Sequence, residues 1–119
     1  MTADQPRHDR EAFIAEAESR TAAASRRMAD IDAQLARATQ VDPESTRVQE
    51  LIHASDLALE AHTHEAYSVY LLHLGRDADA AQCQAAAAQA TQDASSWAAE
   101  DPEPEEGAEA GSRPARPAP

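Results

Sequence analysis

Between Asp9 and Gln40 the chain holds neither glycine nor proline. Within that stretch, apolar or small residues fall at Ile14, Ala17, Thr21, Ala24, Met28, Ile31, Leu35 and Ala38. The steps alternate between three and four residues. An uninterrupted seam of this period specifies one long helix packed against a partner helix. The seam is thin at Ala17, Thr21 and Ala24, so a partner can approach closely there. Arg20, Arg26, Arg27 and Arg37 fall on other faces, as do Glu16, Glu18, Asp30 and Asp32. Residues 1–8 are polar and read as a disordered N-terminus, with Pro6 in a possible first turn and Asp9 as a candidate cap.

The next stretch, Asp42 to Arg76, is where bulk gathers. It carries six of the seven leucines, both tyrosines and four of the five histidines. Asp42 has the chemistry of an N-cap and Pro43 that of a first helical residue, so a second helix is expected over 43–74. The connection is short, which makes the first two helices antiparallel neighbours. The second helix carries two stripes. One runs Val48, Ile52, Ser55, Leu59, His62, Ala66, Val69, His73; the other runs His53, Leu57, Glu60, His64, Tyr67, Leu71, Leu74. A hairpin turning near Asp42 then pairs Leu35 with Leu51 or Ile52, Met28 with Leu59, and Ala24 with His62. A helix apolar on both sides is a central one.

Gly75 has the place of a C′ glycine, and a third helix is expected over 77–99. Its stripe is Ala80, Cys83, Ala87, Ala90, Ala94 and Trp97, small until the single tryptophan. Trp97 should return to the Asp42 end and close it. From Glu100 the chain reads E-D-P-E-P-E-E-G-A-E-A-G-S-R-P-A-R-P-A-P, with no large apolar residue. That is the composition of a disordered acidic, Pro-rich tail. The fold class is therefore all-α: an antiparallel three-helix domain over 9–99, a long hairpin plus an Ala-rich third helix.

Composition sets the scale of the core. Leu, Ile, Val and Phe together are 14 of 119 residues, while alanine alone is 30. Alanine favours helix strongly but brings little apolar area, so self-association is a natural way to add burial. The net charge of −12 and the absence of lysine argue against direct nucleic-acid binding and against an anionic membrane surface. No apolar run reaches the ~20 residues of a membrane span, the N-terminal stretch has no signal-like apolar region, and the lone Cys83 cannot pair within the chain. These features together point to the cytoplasm. The exclusive use of arginine with abundant alanine suits a GC-rich genome.

The segment Ala66-Tyr67 … Leu72-His73-Leu74-Gly75-Arg76-Asp77-Ala78-Asp79-Ala80-Ala81 resembles part of a tetratricopeptide unit. In that family one helix ends in a Leu-Gly turn and the next opens with acids and small residues. The likeness covers about thirty residues, and a run of alanines replaces the bulky positions expected in the second helix; an array needs about three or more units. It implies a helical hairpin. The pattern also resembles small uncharacterised actinobacterial helical proteins, a likeness that implies no activity.

Chemistry is sparse. Glu50 and His53 form an E-x-x-H pair, but a di-iron bundle needs a second pair and further inward glutamates. His53 and His64, like His62 and His73, are eleven residues apart, about 16 Å along a helix, too far to share an ion. The histidines read as hydrogen-bonded or solvated groups at packing edges, and Cys83 as a small buried residue with no basic cluster beside it. No phosphate-binding glycine loop or nucleophile motif is present. The sequence thus names no cofactor, no metal ligand and no catalytic residue. The remaining functional candidate is the second stripe: Leu57, His64, Tyr67, Leu71 and Leu74 either pack under the third helix or meet a protein partner or another copy. The expected role is a non-enzymatic protein–protein interaction or assembly module. The alternatives are a histidine-dependent metal- or pH-responsive bundle and an acidic decoy for a nucleic-acid-binding protein.

Overall fold

A computed structural model describes residues 5–99, with side chains from Asp9 onward. The expected acidic tail over 100–119 and the first four residues lie outside the described residues. Three helices follow one another: α1 (Gln5–Val41), α2 (Thr46–His73) and α3 (Asp77–Ala98). α1 and α3 each pack antiparallel along α2 and touch one another far less. The molecule is elongated, 62 × 28 × 22 Å.

The seam of α1 folds as its spacing predicts. Ala17, Ala24 and Ile31 are buried, and Ile14, Thr21, Met28, Leu35 and Ala38 are half-buried. The helix begins earlier than expected, at Gln5, so Asp9 lies within it rather than at its start.

The α1–α2 turn departs from expectation in detail. α2 starts at Thr46 and its cap is Ser45, whose hydroxyl oxygen accepts from the Val48 amide at 3.2 Å. Asp42 and Pro43 belong to the turn: the Asp42 carboxylate accepts from the Glu44 amide at 3.1 Å, and the Asp42 carbonyl accepts from the Ser45 amide. A serine three residues before the first buried valine satisfies an orphan helix amide directly, so the helix begins there.

The α2–α3 turn matches expectation. Gly75 has φ 76°, its amide donates to the Leu72 carbonyl, and the Arg76 amide donates to the Leu71 carbonyl. These are the two bonds of a Schellman C-cap, which needs a left-handed residue at C′. Asp77 and Asp79 then lie in the first turn of α3, where the helix dipole favours negative charge.

The core lies along one line of α2: Val48, Leu51, Ala54, Ala58, Ala61, Glu65, Ser68 and Leu72. This line runs between the two stripes read from the sequence. Ile31 of α1 and Ala94 of α3 meet over Ala54 and Ala58; Ala17 of α1 and Ala80 of α3 meet over Leu71 and Leu72. Small residues at the centre of α2 let both neighbours approach its axis, so helix bulk comes from Ile31 and fills space above alanine. The lengthwise register of the hairpin is the expected one: Asp32 accepts from the Ser55 hydroxyl at 2.7 Å, and Arg20 reaches Glu65 at 3.4 Å. The rotation of α2 is only partly so. Ser55, His62, Ala66 and Val69 of the first stripe do lie on the α1 side, but Ile52 and Leu59, expected to face α1, are exposed.

Polar side chains pin the two ends. The Arg10 guanidinium donates to both carboxylate oxygens of Asp77, at 2.8 and 3.0 Å, and to the Leu72 carbonyl at 3.0 Å. At the other end the Arg47 guanidinium donates to the carbonyls of Trp97, Ala98 and Ala99, three orphan acceptors at the C-terminus of α3. Trp97 packs beside the cluster of Ile31, Ala54, Ala58 and Ala94, with its ring edge-on to His53 at 4.7 Å. It thus sits at the end of the bundle where α2 begins, though half-buried rather than enclosed.

Candidate interaction surface

Helical geometry of about 3.6 residues per turn places Ile52, Leu59, Thr63, Tyr70 and Leu74 on the side of α2 opposite its buried line, with Asp56 and Tyr67 on one flank and Ala66 on the other. Both α1 and α3 lie toward the buried line, so among the described residues nothing covers this outward face. Ile52 is 41 % exposed, Leu59 54 %, Tyr67 49 %, Tyr70 55 % and Leu74 54 %. They span about 33 Å of helix. The rings of Tyr67 and Tyr70 stack, with centroids 5.8 Å apart and planes 19° from parallel. Large apolar side chains gathered on one water-facing side of a helix are a feature that marks contact sites.

The five residues singled out from the sequence divide. Leu71 is 1 % exposed and belongs to the cluster with Ala17, Leu72 and Ala80. Leu57 is half-buried against the cluster around Ile31 and Ala94. α3 therefore covers that half of the stripe. His64 is half-buried, its Nε2 3.8 Å from the Glu60 carboxylate. Tyr67 and Leu74 stay exposed on the outward face. Residues that the stripe missed are Ile52, Leu59 and Tyr70. Their signal was present: Ile52 and Leu59 stand seven apart, and Tyr70 and Leu74 follow on the same side.

Two open grooves flank this ridge. One, of about 440 Å³, lies between α1 and α2 over Thr21, Ala22, Ser25, His62, Ala66 and Val69. The other, of about 330 Å³, lies between α2 and α3 and includes His64, Tyr67, Leu71 and Cys83. The first also includes Glu18 and is otherwise lined by small and apolar groups and His62; the second also includes Arg76, Asp79, Gln82 and Ala86, with Arg76 paired to Asp79.

The histidines do not converge either. His53 meets Trp97, His62 lines the α1–α2 groove, His64 faces Glu60, and His73 is exposed. Among the described residues no three His, Cys, Asp or Glu side chains come together as a metal site. Arginines are interleaved with the acids: Arg10 with Asp77, Arg20 with Glu16 and Glu65, Arg47 with Glu50, Arg76 with Asp79. Glu65 is the one carboxylate on the buried line, 7 % exposed, and the adjacent Ser68 hydroxyl donates back to its carbonyl. No described helix is long and apolar enough to cross a membrane.

Protein-family models, curated proteins and solved structures yield no match to the chain.

Proposed function

We propose that this protein is a small, non-enzymatic interaction and assembly module of the cytoplasm, which binds protein through the outward face of α2. The observation that carries the reading is the row Ile52, Leu59, Tyr67, Tyr70 and Leu74, exposed along one side of a helix whose other sides are packed. An alanine-filled interior adds a physical motive. Each buried alanine removes about three fewer carbon groups from water than a leucine, roughly 2 kcal/mol less per site. Covering the outward face restores burial that the interior lacks. Tyrosine suits such a contact, because it combines a large apolar ring with a polar tip.

The test replaces Leu59 and Tyr70 by Glu together. Both point to solvent, so the fold is expected to persist, with unchanged far-ultraviolet helicity. Self-association and capture of any partner should both be lost. Retention of all binding by a folded double variant would refute the reading.

A further inference from the structure

We infer that the occupant of the outward face of α2 is a second copy of this chain, docked antiparallel about a two-fold axis at Thr63. The inference rests on the proposed use of that face for binding and adds the identity and orientation of the partner.

Charge along the face carries the argument. Its N-terminal half bears Asp56 and Glu60, both exposed. From Ala66 to Leu74 there is no acid at all; the exposed polar groups there are Tyr67, Tyr70 and His73, while Arg76 lies beyond α2 and is paired with Asp79. A face with acid in one half and tyrosine hydroxyl donors without acid in the other complements itself head to tail. Antiparallel docking about Thr63 sets Ile52 against the partner's Leu74, Leu59 against its Tyr67, and Asp56 against its Tyr70. Apolar residues then meet apolar residues, and each Tyr70 hydroxyl gains a carboxylate acceptor at Asp56. Because the contact is isologous, each pair occurs twice. Parallel docking instead sets Asp56 against Asp56 and leaves both Tyr70 hydroxyls facing each other. Like charges so placed repel.

The chain's own C-terminal segment is a poor rival for the site. Residues 100–119 contain no side chain larger than proline that is apolar, and six of their eight charges are acidic. Such a segment has nothing to insert between Leu59 and Tyr70, and it brings acid toward Asp56 and Glu60.

The experiment uses the full chain with Cys83→Ala, so that engineered cysteines are the only thiols. Thr63→Cys should oxidise rapidly to a disulfide-linked dimer, because the two-fold axis brings position 63 against itself. Asp56→Cys and Tyr70→Cys should each cross-link poorly alone and well when the two variants are mixed. Cross-linking of Asp56→Cys with itself at least as fast as Thr63→Cys would overturn the orientation. A monomer at all concentrations, with no cross-link at position 63, would overturn the partner. In that last case, partner capture that still depends on Leu59 and Tyr70 would leave the binding face standing, whereas capture indifferent to both would remove the face as well.

Discussion

Single residues at the ends of the bundle do what the alanine core cannot. Arg47 is the clearest: one guanidinium gathers three carbonyls at the end of α3, the shortest contact 2.6 Å, to Ala98. Charge-assisted bonds of this kind are stronger than neutral ones. Arg47→Ala should lower unfolding free energy by about 1–3 kcal/mol by chemical denaturation, with the largest rise in amide exchange over the last turn of α3. At the opposite end, the Arg10 guanidinium donates to both oxygens of Asp77 and holds that carboxyl below the usual carboxylate range. A carboxyl whose folded pKa is depressed stabilises the fold above its unfolded pKa, about 3.9, and loses that contribution as pH falls through the lower folded value. Wild type should therefore exceed Asp77→Asn in melting temperature at pH 6, and the gap should close as pH falls from about 5 toward 2. A gap that stays constant over that range would contradict the pairing.

At the scale of elements, the turns decide the architecture. Gly75 must be left-handed for both Schellman bonds to form, and a Cβ placed there meets nothing within 4 Å. The penalty for Gly75→Ala is therefore backbone strain alone, about 1–2 kcal/mol. Calorimetry should show a lowered melting temperature with helix content unchanged at temperatures well below it. Trp97 anchors the other end, where its ring meets His53. Because it is half-buried, Trp97→Ala should cost roughly 3 kcal/mol, the low end for removing a large aromatic side chain. The tryptophan emission of the wild type should shift red as that end opens. The helices themselves were easy to read from spacing. α1 has one seam, and every one of its positions is at least half-buried. The stripe on α3 is likewise all buried or half-buried. α2 was not readable in the same way, since leucines and tyrosines surround it. The middle of its buried line is Ala54, Ala58, Ala61, Glu65 and Ser68, small or polar residues that attract no attention in a search for bulk. Alanine is buried there because it is small: two helices need to approach one line, and Ile52 or Leu59 would hold them off. Bulk on this helix is buried near its two ends, at Val48, Leu51, Leu71 and Leu72, and exposed at Ile52, Leu59, Tyr67 and Tyr70.

At the scale of the whole molecule, placement of the helices decides which bulk is covered. Antiparallel order and lengthwise register follow from the short turn and the seam, as Asp32–Ser55 and Arg20–Glu65 attest. The candidate surface followed only in part: Tyr67 and Leu74 lie on the exposed face, while Leu57 and Leu71 are claimed by α3. No pattern in one chain distinguishes a stripe covered by its own helix from one left for a partner. That distinction comes from where α1 and α3 sit, both on one side of α2. The central claim is that the uncovered side binds a second copy. Light scattering during size exclusion, over a range of loading concentrations, measures it most directly. The account predicts a mass that rises with concentration toward twice 12.7 kDa, and a Leu59→Glu/Tyr70→Glu variant that stays at 12.7 kDa with undiminished helicity. A wild-type chain that remains at 12.7 kDa throughout, or a variant that dimerises as wild type does, would contradict it.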